Sequence, residues 1–223
     1  MLTYEEALDT LDRELQGVAD TFADLSDDEW RAPTLLEPFE PDRPRWTVFE
    51  LAGHLTISIG LTSMLIDDQQ DGQPGRDQVS FFIFPRSEVA PGVYDYAYTM
   101  VEGRTPGDMP SVLRETFSKA VDESRALPPD TIGSGYYALM RLDDFASSRI
   151  VEAVVHGIDL TDATGRSSIA TPEGVAFTAA LLDELLARRT VAGRPADLAD
   201  DLAWVRAASG RTPHPDPRLP LLG

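Results

Sequence analysis

Apolar residues recur along most of this chain at steps of three and four. Leu8, Leu11, Leu15, Val18, Phe22 and Leu25 follow "TYEE", where Thr3 and Glu6 form a capping box, so the pattern predicts a first helix from about residue 4 to about 25. "SDDE" at 26–29 repeats the box, but the prolines of "RAPTLLEPFEPDRPR" allow only a short helical turn before a loop. "WTVFELAGHLTISIGLTSMLID" opens with Thr47 and Glu50 in the same relation and stays apolar for about five turns, predicting a second long helix with His54 inside it.

"DMPSVLRETFSKAVDESRAL" reads as a third helix, capped by Asp108 and stopped at Pro128 and Pro129. "DDFASSRIVEAVVHGIDLTDATG" is the fourth, from Asp143 or Asp144 to a C-terminal glycine, Gly165. Thr171 caps and Pro172 opens "TPEGVAFTAALLDELLARR", and "PADLADDLAWVRAASG" runs to Gly210. The proline-rich "RTPHPDPRLPLLG" cannot be helical and is expected to lie extended on the surface. Between residues 67 and 107, "VSFFIFP" and "VYDYAYTMVEG" leave strand and helix both open, because short apolar runs are not assignable by period. The reading is all-α: a four-helix bundle over residues 1–165, with a helical pair and extended tail over 166–223 packed on it as one unit.

Composition narrows the partners. A chain of 223 residues with 38 acidic against 19 basic side chains carries a field that repels phosphate backbones and anionic lipids, so neither nucleic acid nor membrane is expected. The start "MLTYEEALDTLDREL" has no signal-peptide character and no run approaches the ~18 apolar residues of a membrane span, which leads to an expected cytoplasmic location. There is no cysteine, which excludes disulfides, thiolate metal ligands and a nucleophilic protein thiol. Any thiol chemistry must use a small molecule's sulfur. The sequence does not set the oligomeric state, a homodimer being one option.

"RIVEAVVHGIDL" sets Arg149, Glu152, His156 and Asp159 on one stripe of an otherwise apolar helix. Glu152 and His156 are four apart and project side by side, so they can bite one metal ion. His54 shares a face with Leu51, Ser58 and Leu61 that points into a bundle core. Two imidazoles and a carboxylate suit zinc and leave a coordination position open. Asp159 is placed either to accept the spare N–H of His156 or to pair with Arg149. The competing reading has Arg149 neutralising Glu152 and His156 as a core histidine. His214, in the proline-rich tail, is expected exposed and outside the site. Tyr94, Tyr96, Tyr98, Tyr136 and Tyr137 are read as core or loop anchors more than as pocket walls. Ser147 and Ser148 lack a nucleophile signature, and no phosphate or dinucleotide fingerprint is present.

"WTVFELAGHL", followed about a hundred residues later by "SRIVEAVVHGIDLTDATG", and then "AWVRAASGRTPHPDPRLPLL", resemble the DinB-like superfamily, in particular the mycothiol-dependent maleylpyruvate isomerase family. The resemblance implies a four-helix bundle with a divalent metal, normally zinc, held by His54, Glu152 and His156. It also implies mycothiol as cosubstrate, its thiolate adding to a cis double bond and leaving in an isomerase, or staying attached in an S-transferase. Arg149 and Arg211 are candidate clamps for an anionic substrate, though pairing with Asp159 is the expected role of Arg149. Two alternatives stand beside this: a zinc hydrolase using metal-bound water with Asp159 as base, and a non-catalytic metal- or ligand-binding bundle.

Overall fold

A computed structural model describes residues 2–222, and its helices begin where the capping signals place them. Helix α1 (Tyr4–Ala23) opens with Glu6 Oε2 accepting from the Thr3 N–H at 2.8 Å while the Thr3 hydroxyl accepts in return from the Glu6 N–H. The same reciprocal box starts α2 (Asp27–Trp30) at Ser26 and Glu29, and α3 (Val48–Asp67) at Thr47 and Glu50. Then follow α4 (Arg86–Val101), α5 (Met109–Arg125), α6 (Leu142–Thr164), α7 (Pro172–Arg189) and α8 (Asp201–Ala208). Helix α6 stops at Gly165, whose φ of 68° is the left-handed conformation that glycine adopts without a Cβ penalty.

Helices α1, α5, α3 and α6 pack in that order as a ring, each touching the next and α6 closing on α1. This is the expected all-α four-helix bundle. Helix α4 lies along α3, with α7 against α6 and α1, and α8 against α7. The α3–α4 approach is close because residue 53 is glycine: a Cβ there would stand 2.3 Å from the Ala97 carbonyl oxygen. Buried Glu14 of α1 accepts from the Thr171 N–H at 2.9 Å, and Trp204 Nε1 donates to the Ala179 carbonyl at 3.2 Å, which fixes α7 and α8 in place.

The stretch left open between strand and helix is helical, and several expectations are corrected. The aromatic stretch after residue 80 forms a 3₁₀ turn (Ser80–Phe82) and helix α4, which carries Pro91 inside it. A short antiparallel hairpin, β1 (Ile132–Ser134) and β2 (Leu139–Arg141), rests on the end of α3, where the Gln70 N–H reaches the Ile132 carbonyl at 3.0 Å. Asp108 stands at the N-cap position of α5 as expected, but its side chain makes no capping bond to the helix; its carboxylate accepts from the Thr105 N–H and hydroxyl, both at 2.7 Å. Helix α3 is long and apolar enough to span a membrane by length and composition, contrary to the expectation that no run is, yet most of it is buried inside the protein. Its apolarity is that of a central core helix. The tail does not stay on the surface: Leu221 is buried, with its N–H bonded to the Ala208 carbonyl at 2.7 Å. Nor is His214 exposed, since its side chain is 12% accessible and faces Asp197 at 3.2 Å.

Replacing Gly53 with alanine is expected to force α3 and α4 apart, at a cost of about 1–3 kcal/mol and a fall in Tm of roughly 3–10 °C, read by thermal unfolding.

Candidate metal centre

The α3–α6 contact brings together the three side chains singled out by helical spacing. His54 lies two turns into α3 and Glu152 and His156 one turn apart on α6. His54 Nε2 and His156 Nε2 are 3.0 Å apart, and Glu152 Oε2 is 3.5 Å from each. A tetrahedral ion bound at ~2.0–2.1 Å has ligand–ligand edges of about 3.3 Å. The observed triangle fits that span, so the donor set suits a divalent cation. The His54 ring is stacked on Trp46, with centroids 5.1 Å apart and planes at 28°. Its buried Nδ1 has no hydrogen-bond partner among the described residues, so stacking orients this ring.

His156 is oriented differently. Its Nδ1 lies 2.7 Å from Asp159 Oδ2, so the N–H points at the carboxylate and the Nε2 lone pair is left facing His54 and Glu152. Burial works against charge on His156, but its bonds to Asp159 and Glu152 outweigh it and raise its pKa. Burial, with the neighbouring His156, lowers that of His54. Burial would push Glu152 up, yet hydrogen bonds from both histidines and the Arg149 charge hold its carboxyl well below the usual range. Glu152 is therefore an anion facing both imidazole Nε2 atoms, which is an electrostatic setting that favours a cation.

Arg149 does not pair with Asp159. Ten residues of helix separate them by about 15 Å along the axis, beyond the reach of the two side chains. Arg149, 1% exposed, instead lies between the rings of Phe81 and Phe145, its guanidinium carbon 4.6 and 4.5 Å from their centroids. It donates to the Ser58 carbonyl and hydroxyl at 3.0 Å and to the Ser148 hydroxyl. Nor does it neutralise Glu152 by direct contact: Ser58 stands between, donating its hydroxyl to Glu152 Oε2 at 3.0 Å. Asp159 belongs to Arg211, which reaches in from the tail with Nε at 2.9 Å and Nη2 at 2.6 Å. Although burial opposes its ionisation, Arg211 and His156 hold the Asp159 carboxyl down at about 2.

A cavity of about 520 Å³ opens over the trio, with Arg149 and Arg211 also reaching its wall and Asp159 behind His156, out of it. Tyr94, Tyr96, Tyr136 and Tyr137 line this space, which corrects their reading as core or loop anchors; Tyr98 stands behind Tyr94, the hydroxyls 3.1 Å apart. Spacing in the sequence gives Ser58, Trp46 and Phe81 no role in the site; their contacts with Glu152, His54 and Arg149 exist only in the fold. Residues 11–161 match the family model of the mycothiol maleylpyruvate isomerase N-terminal domain. The chain belongs to that family. The family match spans His54, Glu152 and His156 and stops before α7, so Arg211 comes from outside it. No curated protein and no solved structure matches the chain.

Arg211→Gln strands the buried Asp159 carboxylate and is expected to cost about 3 kcal/mol in urea unfolding at pH 7. Because the folded pKa of Asp159 is depressed, its stabilisation is present above the ordinary value near 4 and is lost as pH falls towards about 2. The gap between wild type and variant should therefore narrow over that window.

Proposed function

We propose that this chain is a metal-dependent enzyme that uses mycothiol as an activated thiolate, either transferring the sulfur to an electrophile or isomerising a cis-unsaturated compound of the maleylpyruvate kind. The observation that carries the reading is the convergence of His54 Nε2, Glu152 Oε2 and His156 Nε2 in the wall of a cavity, in a chain without cysteine. These three atoms would hold a divalent ion, zinc by the chemistry of the set, and bound there it would supply a Lewis acid that keeps a thiol deprotonated at neutral pH.

The remaining work falls to the protein. Asp159, charged by its pairing with Arg211, keeps the His156 proton on Nδ1. Arg149, acting through Ser58, holds Glu152 as a carboxylate of fixed orientation. Aromatic walls line the space the sulfur would occupy and reduce its contact with water. In the isomerising branch the sulfur–carbon bond forms as the alkene pair moves onto the conjugated carbonyl, the resulting single bond rotates, and return of the pair expels the sulfur with trans geometry. In the transfer branch the bond stays and the carbon takes a proton.

A hydrolase would want a carboxylate base beside the reacting atom. Asp159 is engaged behind His156, and Glu37, at the cavity wall, is paired with Arg45. These placements favour the thiol reading. A free thiol cosubstrate also fits a reducing compartment, the cytoplasm.

Purified protein should contain about one metal per chain by elemental analysis, falling below a tenth in His54→Ala, Glu152→Ala and His156→Ala. Asp159→Asn should weaken metal affinity by about 10–100-fold. Mycothiol should release heat on binding the loaded wild type only. Full metal retention in all three alanine variants would overturn the site, and ester turnover without thiol would favour the hydrolase.

A further inference from the structure

The cavity over the trio, which the thiol cosubstrate would share, has more apolar wall than a small charged substrate needs. About 520 Å³ lies within the range of sites that enclose a drug-sized molecule. Its walls include the rings of Trp46, Phe81, Phe84, Tyr94 and Tyr137, with aliphatic Val89 and Val93 from α4. Three exposed aromatic side chains, Phe39 (41%), Tyr96 (48%) and Tyr136 (38%), also belong to this wall, so the apolar surface continues out to solvent. An exposed apolar patch continuous with a pocket is the signature of a surface that takes up apolar ligand.

Charge points the same way. A small dicarboxylate would need two charge-assisted partners. Three arginines reach the cavity, and each is already engaged. Arg149 is held by Ser58 and Ser148 between two phenyl rings, and Arg211 is spent on Asp159. Arg189 bridges the Phe82 and Leu221 carbonyls at 3.2 and 2.8 Å, stapling the tail to the 3₁₀ turn. Arg149 answers Glu152 through Ser58 and Arg211 answers Asp159, which leaves Arg189 as the one cavity arginine without a carboxylate partner among the described residues, where a dicarboxylate would want two.

We infer that the electrophile this site accepts is a neutral, largely apolar, ring-bearing molecule, not a small dicarboxylate. The inference rests on the cavity being the active site of the proposed thiol chemistry, names that chemistry's second substrate, and turns the choice of electrophile away from the maleylpyruvate kind. Neutral ring systems gain from burial and from stacking on aromatic walls without asking for a counter-ion.

Calorimetric titration of the metal-loaded protein, without thiol, tests it with two probes: benzylideneacetone, a neutral aryl enone, and maleate, a dianion. The enone is expected to bind at least tenfold more tightly. Ala90→Trp, which fills the α4 wall, and Val93→Asp, which puts a charge on it, should each weaken enone binding at least tenfold while metal content stays unchanged. Maleate binding equal to or tighter than the enone, no enone binding, or enone affinity unchanged in folded variants would overturn the inference. If both variants misfold, the wild-type comparison still decides. Because no arm uses thiol, the two readings fail separately. Enone binding with no response to mycothiol would sink the thiol chemistry alone, whereas mycothiol binding with preference for maleate would sink the apolar electrophile alone.

Discussion

Glu152 must remain ionised inside a helical bundle, and much of the site's construction answers that constraint. A lone carboxylate moved from water into such an interior would take up a proton. Here its Oε2 is met by two imidazole nitrogens and the Ser58 hydroxyl, with the buried Arg149 charge one hydroxyl further away. The guanidinium is itself made tolerable by two phenyl faces and by hydroxyl and carbonyl acceptors. One buried anion thus accounts for a buried cation, two serines, and the pairing of the 79–82 segment with α6.

The histidines divide the orienting work between two kinds of force. His156 is set by a charge-assisted hydrogen bond to Asp159, and His54 by stacking on Trp46. The first fixes a proton as well as a ring plane; the second fixes only the plane. Proton placement at the centre is consequently controlled from the α6 side, through a carboxylate whose own charge depends on Arg211 in the tail.

Legibility in the sequence follows the range of the interactions involved. Capping boxes at Thr3, Ser26 and Thr47 are complete within four residues, so α1, α2 and α3 were readable to within a turn, and Gly165 ended α6 as expected. The trio was readable because helical spacing aligns Glu152 with His156 and a bundle turns His54 inward. Helix α4 was not, since Pro91 and Gly92 sit within it and Tyr94, Tyr96 and Tyr98 alternate like a strand. Its buried stripe, Val89, Ala97 and Val101, is too sparse to announce a helix. The hairpin has three residues a side and no period to detect. Arg149 was matched to the wrong partner because sharing a stripe says nothing of distance along it. The true partner of Asp159 lies 52 residues further on, in a segment that only the fold brings near.

The Arg189 staple and the Arg211 pair give the end of the chain a share in the cavity that the family-matched segment does not complete alone. The triangle of His54, Glu152 and His156 sits on α3 and α6, while part of the wall is made by Leu221 and Leu222 from the tail. A lineage can therefore redraft the wall by changes after residue 189 and leave the ligand triangle untouched, provided a cation still answers Asp159. A single ion pair, Arg211 with Asp159, is the condition that ties the two parts together.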